Sequence, residues 1–353
     1  MLIHNVYING LSGVSTQPTF DETFLDGNIV KPTAFYKKGV EPDYKQYLNP
    51  TASRRFSRLI KMSLVAAQKS IAMADGVMPE AIITGTGLGC LEDTEKFLGA
   101  LIENNESMVS PTAFIQSTHN TISGQIAMMI MCYHANYTYS NRYFSFESSL
   151  LDGILMLQDN SCKHVMVNAA DEVIPSLHTI MKRMQLWDRS ESIAQQAGMP
   201  VTIGEGVVSM IISSEKRDSS LAQIKAYKLI YKLPLETSIE EQLKLFLQEA
   251  SLSISDIDVI LLGMNGDPSN DCYYEPVRTM FADSTQLVYK HLFGESFTAS
   301  SFAYWLGAQI IRTKKIEPSC ILSDKHRAPK HMFVYNQFRG KYHSFCLLTD
   351  VEV

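Results

Sequence analysis

Short runs of continuous apolar residues alternate with longer helical patterns along this chain of 353 residues. A run without polar alternation is typical of a strand that is buried on both faces of a sheet. Apolar residues at every third or fourth position are typical of a helix that buries one face. Together these patterns predict an α/β architecture with covered sheets. The runs interpreted as strands are 81–84, 163–170, 206–212, 258–262 and 344–349, and the helical segments are 53–75, 92–102, 124–133, 148–157, 240–250 and 302–312.

Composition excludes several classes of protein. Hydrophobic residues make up 45% of the chain and charged residues 19%, which excludes intrinsic disorder. Six cysteines without a CxxC pair are too sparse for a disulfide scaffold or a zinc ribbon. The nine histidines have no HxxxH or HExxH spacing, so no metal site is expected. A net charge of −6 argues against nucleic acid as a partner.

Cellular location is predicted from the termini and the apolar stretches. No basic region followed by an apolar stretch opens the chain, so we expect no signal peptide. The apolar stretch 126–132 falls far short of the ~20 residues that a membrane span needs. With free cysteines in addition, these observations predict a soluble, cytoplasmic protein.

Length and local composition predict two halves. At ~150 residues per domain, the chain has room for two units. The segment 213–238 has the weakest pattern and begins with Ser-Glu-Lys-Arg-Asp-Ser-Ser after Ser213. We therefore place the N-terminal half at 1–212 and the C-terminal half at 222–353. The spacing of Gly85, Gly87 and Gly89 differs from a dinucleotide-binding loop, so no cofactor is expected.

A series of short motifs occurs in a characteristic order. Each motif is weak alone, but together they extend from residue 6 to about residue 348. In order and spacing they resemble a β-ketoacyl synthase of the thiolase superfamily. The motifs are Val6-Tyr7-Ile8-Asn9-Gly10-Leu11, Arg54 to Met62, Thr84-Gly85-Thr86-Gly87-Leu88-Gly89, Pro111-Thr112-Ala113-Phe114 with Ser117, Asn120, Gly124 and Ala127, and Gly204-Glu205-Gly206.

This resemblance implies a thiolase-like fold, activity and partners. Two pseudo-equivalent βαβαβαββ halves would form a five-layered α-β-α-β-α core, and the protein would be a homodimer or a heterodimer. The family condenses a cysteine-bound acyl group with malonyl on an acyl carrier protein. That reaction needs a thiolate nucleophile and two histidines that assist decarboxylation and stabilise the enolate.

The corresponding positions in this chain lack all three side chains. Glu147 stands at the nucleophile position, in Glu147-Ser148-Ser149-Leu150-Leu151. The stretch that would carry the first histidine, 263–271, contains none, and Met264 stands at its position. The second histidine is replaced by Glu295.

Some pocket and loop residues of the family are kept. The lysine and glycine that precede the second histidine survive as Lys290 and Gly294. In the late glycine-rich loop Phe338 and Gly340 survive, but two glycines are lost. The resemblance therefore implies a retained scaffold without catalytic residues.

A basic cluster near the start of the chain has two interpretations. Arg54, Arg55, Arg58 and Lys61 either form a solvated helix face or a docking patch for the acidic acyl carrier protein. The sequence leaves both interpretations open.

Two functional hypotheses follow. The first is a non-catalytic pseudoenzyme, similar to a chain length factor, that pairs with an active ketosynthase in fatty-acid, polyene or polyketide synthesis. The second is an acyltransferase or decarboxylase that acts on acyl-carrier-protein thioesters with Glu147 in the nucleophile position. A stand-alone acyl-binding module ranks below both. The sequence leaves open the acyl chain length, the product, the partner and any residual chemistry of Glu147 and Glu295.

The family also implies where the subunits meet. A strand just before the nucleophile position pairs with its counterpart across the dimer axis, which here places it at about 138–146. Its aromatic side chains would supply the apolar area of a stable interface. They are Tyr137, Tyr139, Tyr143, Phe144 and Phe146.

Overall fold

The computed structural model describes residues 3, 5–30, 36–107, 110–184 and 203–352. The remaining parts of the predicted N-terminal half lie outside the described residues. The strands are β1 (Tyr7–Val14), β2 (Tyr36–Lys37), β3 (Ala81–Gly85), β4 (Ala135–Tyr139), β5 (His164–Asp171), β6 (Ile203–Gly204), β7 (Gly206–Ser213), β8 (Ala222–Tyr231), β9 (Val259–Leu262), β10 (Thr285–Val288), β11 (Ile321–Ser323), β12 (His331–Phe338) and β13 (Tyr342–Thr349).

The helices connect these strands and cover both faces of the sheet. They are α1 (Pro50–Ser53), α2 (Arg58–Met73), α3 (Leu91–Glu103), α4 (Pro111–Ser117), α5 (Thr121–Ile130), α6 (Ser145–Gln158), α7 (Pro175–Arg183), α8 (Ile239–Glu249), α9 (Pro268–Asp271), α10 (Glu275–Met280), α11 (Lys290–Phe293) and α12 (Ser301–Thr313). Within the described ranges, no helix has the length and apolar content that crossing a membrane requires.

One pattern of strand pairing occurs twice. Eleven strands form a mixed sheet in the order β11-β10-β9-β12-β13-β8-β1-β7-β5-β3-β4. From β1 outward, the pairs β1–β7 and β7–β5 are antiparallel, and β5–β3 and β3–β4 are parallel. From β8 outward, β8–β13 and β13–β12 are antiparallel, and β12–β9 and β9–β10 are parallel. The two halves are therefore topologically equivalent, and β11 is an additional edge strand.

The halves meet at β1 and β8. These strands pair antiparallel over a short register, with Tyr7 opposite Gln223 and Ile8 opposite Ala222. One hydrophobic cluster contains Val208 from the first half together with Leu348 from the second. The core is thus continuous across the junction. The predicted boundary falls in the connection between β7 and β8, although the domain limits themselves stay a prediction.

The N-terminal and C-terminal halves of the sheet form two layers, and these lie between three layers of helices. Ile82 packs with α2 and α5 on one outer face, whereas its neighbour Ile83 faces the central cluster around α6 and α12. Ile260 packs with α8 and α10 on the other outer face, and Leu261 again faces the centre. Successive strand residues point to opposite faces, so each half is buried on both sides. The result is the expected five-layered α-β-α-β-α core.

The start of α6 depends on a glycine in β3. A Cβ atom at Gly85 would lie 2.6 Å from the carbonyl carbon and oxygen of Ser145. The backbone of β3 can therefore approach the first turn of α6 only if residue 85 has no side chain. This contact fixes where the following turn, with Glu147, lies in the core.

The prediction of a strand at about 138–146 is wrong in its bounds. Strand β4 ends at Tyr139, and a short 3₁₀ turn at Arg142–Phe144 leads directly into α6. The side chain of Phe146 is fully buried and packs edge-on against Tyr304, with 5.0 Å between ring centroids. Aromatic residues favour strands in general, but here tertiary packing uses them at a helix start.

We expect Gly10→Ala to destabilise the protein by about 1–3 kcal/mol, the typical cost of overpacking. A Cβ atom at this position of β1 would lie 2.0 Å from the carbonyl oxygen of Ser70 in α2. The matched control is Gly99→Ala in α3, where a Cβ atom meets nothing within 4 Å. Removing a helix glycine there should stabilise by up to about 1 kcal/mol. Urea unfolding followed by circular dichroism measures both, and equal effects would contradict the close approach.

Candidate functional site

Glu147 lies in the first turn of α6, where the two halves meet. Its side chain is fully buried. Asn336 Nδ2, from β12 of the C-terminal half, donates a hydrogen bond of 3.0 Å to Glu147 Oε1. The hydroxyl of Tyr227, from β8, donates to the Glu147 carbonyl oxygen at 3.1 Å. The predicted nucleophile position is therefore held by contacts across the junction.

Burial dominates the electrostatics of this carboxyl group. Desolvation raises the pKa of Glu147 to about 7, and the nearby Ser300, Asn336 and Lys290 only partly oppose it. Burial likewise raises the pKa of Tyr289 well above its usual value, with Glu295 and Glu147 adding to the effect. Tyr289 thus lies within electrostatic range of both glutamates.

Glu295 forms a buried ion pair with Lys290. Lys290 Nζ lies 3.1 Å from Oε1 and 3.0 Å from Oε2 of Glu295, and both side chains are less than 5% exposed. Asn265 Nδ2 donates a third hydrogen bond to Glu295 Oε2 at 2.8 Å. The ammonium group of Lys290 is therefore already neutralised by a carboxylate within the chain.

The backbone around Glu295 requires two glycines. Gly294 has φ +84°, and a Cβ atom there would lie 2.3 Å from the Gly204 nitrogen. The same Gly204 N–H donates to the Glu295 carbonyl oxygen at 3.2 Å. The first glycine of the Gly-Glu-Gly motif thus positions Glu295, the predicted counterpart of the second histidine.

Met264 and its neighbour Asn265 have different surroundings. Met264 is buried in the outer hydrophobic cluster of the C-terminal half. Asn265, by contrast, contacts Glu295 directly. Its backbone N–H and that of Gly266 donate to Asp271 at 3.0 and 2.8 Å, and burial raises the pKa of Asp271 to about 6. The predicted role of Met264 stays a prediction, and Asn265 is the polar group that sequence reasoning missed.

Phe338 belongs to an aromatic stack beside a cavity. Its ring lies 3.6 Å from that of Tyr143, nearly parallel, and Phe297 packs edge-on against Tyr143 at 4.8 Å. Gly340 has φ +61°, and its N–H donates to Gln337 Oε1 at 2.9 Å. The cavity has a volume of about 550 Å³, and Glu147 does not line it. Its lining residues are Leu88, Leu91, Ser140, Asn141, Arg142, Tyr143, Leu177, Ile180, Met181, Met184, Phe297, Phe338 and Tyr342.

This aromatic stack lies close to Glu147 along the chain. Tyr143 precedes Glu147 by about one helical turn, and Phe338 follows Asn336 by two residues on β12. Side chains two residues apart on a strand point to the same face. Phe338 therefore points to the same face of β12 as Asn336, the residue that binds Glu147.

Within the predicted basic patch, the side chain of Arg58 is held by ion pairs. Its guanidinium group forms ion pairs with Glu41 and with the fully buried Glu205. Glu205 also accepts hydrogen bonds from the backbone N–H groups of Gly39 at 2.8 Å and Val173 at 3.2 Å. The motif glutamate thus organises the scaffold.

The other members of the patch are more accessible. Arg54 and Arg55 are exposed, and Lys61 is half-buried. Arg54 and Arg55 are therefore the members of the patch with the most surface available for a partner, and the docking role of the patch stays a prediction.

Comparisons with known proteins establish the family. The model of the β-ketoacyl synthase N-terminal domain matches residues 31–231, more than half of the chain. The chain therefore belongs to the β-ketoacyl synthase family. A search of curated proteins gives no match.

Solved structures share the fold over nearly the whole length. The ishigamide ketosynthase/chain length factor matches with a TM-score of 0.78 and 15% identity, covering 98% of this chain and 99% of that one. A ketosynthase in complex with its chain length factor from Xenorhabdus doucetiae matches at 0.75 and 13%, covering 99% and 98%. A type II polyketide acyl-carrier protein in complex with its ketosynthase matches at 0.76 and 11%, covering 99% and 100%. The thiolase-like fold is therefore confirmed.

We expect Lys290→Met to destabilise the protein by about 3–5 kcal/mol, because Glu295 would remain buried without its cation. The double variant Lys290→Met/Glu295→Gln removes both charges and should recover most of this loss. Guanidinium unfolding at neutral pH measures both free energies. A double variant no more stable than Lys290→Met would show that the ion pair does not set the cost.

Proposed function

We propose that this chain is a non-catalytic subunit, similar to a chain length factor, that pairs with an active ketosynthase in fatty-acid, polyene or polyketide synthesis. The observation that carries the proposal is the state of the replaced positions. Glu147 and Glu295 are buried, and each is held by partners of its own chain. The family membership and the fold shared with ketosynthase/chain length factor structures support the same assignment.

The chemistry of the site supports the absence of condensation. Acyl loading needs a nucleophile that exchanges reversibly with a thioester, and a carboxylate gives at best an unstable mixed anhydride. Enolate stabilisation needs hydrogen-bond donors or positive charge where negative charge develops. In this chain Lys290 is neutralised by Glu295, so the lysine charge is not free for a substrate.

A heterodimer with an active ketosynthase is the assembly that we propose, and a homodimer is the alternative. Strand β4 is the last strand of the sheet, so one of its edges has no neighbour among the described strands. Large apolar side chains near this edge are exposed: Met128 by 73%, Met131 by 70%, Tyr133 by 87% and Tyr137 by 48%. Exposed apolar area beside an open strand edge favours a protein partner.

We further propose that the acyl carrier protein of the system contacts this assembly. One structure with this fold is described as a ketosynthase in complex with its acyl-carrier protein. The exposed Arg54 and Arg55 are the side chains that we assign to this contact, because carrier proteins are acidic. The cytoplasmic location expected from the sequence stays a prediction.

One observation favours the alternative activity on acyl-carrier-protein thioesters. Burial raises the pKa of Glu147 to about 7, which suits a general acid or base near neutral pH. Against it, Glu147 is fully buried and does not line the 550 Å³ cavity. The alternative therefore requires a rearrangement that exposes the Glu147 carboxyl group to a substrate.

Purified alone, the chain should form no acyl adduct and no β-ketoacyl product with acyl and malonyl carrier-protein thioesters. Glu147→Cys should also give no condensation, because both catalytic histidines remain absent. Intact-mass spectrometry detects the adduct, and chromatography of the released acids detects the product. An intact ketosynthase serves as the positive control. An acyl adduct on the wild-type chain, or turnover without a partner, would favour the altered enzyme.

Tyr133→Asp and Tyr137→Asp should each weaken association with an intact ketosynthase from the same gene neighbourhood by about tenfold or more, as central interface residues do. Leu235→Asp is the matched control, since Leu235 is 95% exposed and lies in the C-terminal half beyond β8. Co-expression followed by size-exclusion chromatography and titration measures the affinity. Equal binding by all three variants would remove β4 from the interface.

A further inference from the structure

The contact between Glu147 and Asn336 joins the two halves in the middle of the core. Glu147 belongs to α6, which follows β4 of the N-terminal half, and Asn336 belongs to β12 of the C-terminal half. The amide group of Asn336 lies close to the backbone of β9, because a Cβ atom on Gly263, just after this strand, would lie only 2.2 Å from Asn336 Oδ1. The amide group therefore presents a fixed partner to the carboxyl group.

Three buried oxygens around this contact lack a hydrogen-bonding partner among the described residues. They are Oε2 of Glu147, Oδ1 of Asn336 and Oγ of Ser300. Two of them, the amide oxygen and an ionised carboxylate oxygen, can only accept. Leaving a buried polar group unsatisfied costs about 1–3 kcal/mol in general. Ser300 can donate through its own hydroxyl, whereas the amide oxygen of Asn336 can only accept, so a proton on the carboxyl group would supply the donor that this amide oxygen lacks.

The surroundings of Glu147 also lack a compensating charge. Across the described ranges, no lysine, arginine or histidine forms an ion pair with its carboxylate. The cation that acts on it electrostatically is Lys290, which is committed to both oxygens of Glu295. The other titratable groups that face it are Tyr227 of β8, Tyr289 after β10 and Tyr304 of α12, all of them buried. An unpaired charge in such a site is strongly unfavourable.

We propose that Glu147 is a neutral carboxylic acid in the folded protein and that its acid–amide hydrogen bonds with Asn336 hold the two halves together. Asn336 Nδ2 donates to Oε1, and the proton on Oε2 donates to Asn336 Oδ1 or to Ser300 Oγ. Only a proton is taken up, and no covalent bond between residues changes. This assignment goes beyond the proposed function, because it gives the nucleophile position a role that needs neither substrate nor partner.

The proposal predicts a definite pH dependence. Burial raises the pKa of Glu147 from its ordinary 4.5 to about 7. Between these values the folded state holds a proton that the unfolded chain has lost. The contribution of this proton to stability is therefore complete below about 4.5 and is lost as the pH rises through about 7. Asp171, Glu172 and Asp271 also have raised pKa values, so the wild-type curve alone does not isolate Glu147.

The variant Glu147→Gln isolates the contribution of Glu147 to the pH dependence of stability. Glu147→Gln keeps a neutral group of the same size that both donates and accepts. Its melting temperature should equal that of the wild type at pH 5 and exceed it at pH 8. Glu103→Gln, at an exposed position of α3, is the matched control and should show no such change. A difference between wild type and Glu147→Gln that is the same at both pH values would overturn the proposal.

A spectroscopic measurement tests the protonation state directly. The infrared difference spectrum between wild type and Glu147→Gln at pH 6 should contain the C=O band of a protonated carboxylic acid. In the wild type this band should disappear as the pH rises above about 7. Absence of the band at pH 6 would overturn the proposal even if the variant failed to fold normally at other pH values. The result is independent of partner binding, so it is distinguishable from failure of the proposed function.

Discussion

The packing of the first turn of α6 against β3 and β12 is the constraint on which the centre of the molecule depends. Gly85 allows the backbone of β3 to approach Ser145, and this close approach places the next turn inside the core. Whatever residue follows at position 147 is then removed from water. A small uncharged side chain, such as a cysteine thiol, is easily buried in such a position. Here the same geometry receives a carboxyl group, and its behaviour follows from burial.

The two carboxyl groups at the predicted catalytic positions are accommodated in different ways. Glu295 is buried with a full counter-charge, because Lys290 contacts both of its oxygens and Asn265 adds a hydrogen bond. Glu147 is buried with an amide and without an ion pair. In the second case desolvation favours the neutral form of the carboxyl group. In the first arrangement the charge of Lys290 is paired with Glu295, and in the second the carboxyl group is bound to Asn336.

Much of the fold could be predicted from the sequence, because strands buried on both faces are continuous apolar runs. The run Val259–Leu262 and the helix Ile239–Glu249 lie within one residue of their predicted bounds. The helix begins at a capping box in which Ser238 and Glu241 bind each other's backbone, a local signal. The sequence pattern does not predict strand β8, because Gln223, Lys225 and Lys228 interrupt its apolar residues. The strand lies in the segment with the weakest pattern, which is interpreted as the boundary between the halves. Its partners β1 and β13 are distant in sequence, and only they reveal the strand.

The candidate site was predictable by position but not by contact. The motif order predicts Glu147, Lys290 and Glu295 as site residues, and the structure buries all three, while their roles stay predictions. Asn336 cannot be predicted from the sequence, because its hydrogen bond to Glu147 spans 189 positions and no local pattern marks it. Asn265 was overlooked in favour of its neighbour Met264, although only the structure shows which side chain meets Glu295.

Other buried carboxylates of the scaffold indicate what an ionised group needs in this core. Asp171 receives four hydrogen bonds from Thr86, Gly87 and Thr298, and even so burial raises its pKa to about 6. Glu205 has the arginine Arg58 and two backbone N–H groups. Glu147 has one amide donor to its carboxyl group and no ion pair within the described residues. Since four hydrogen bonds do not hold Asp171 at its ordinary pKa, the two side chains Ser300 and Asn336 are too few to do so for Glu147. The position is therefore suited to a neutral side chain that fills space and joins the halves.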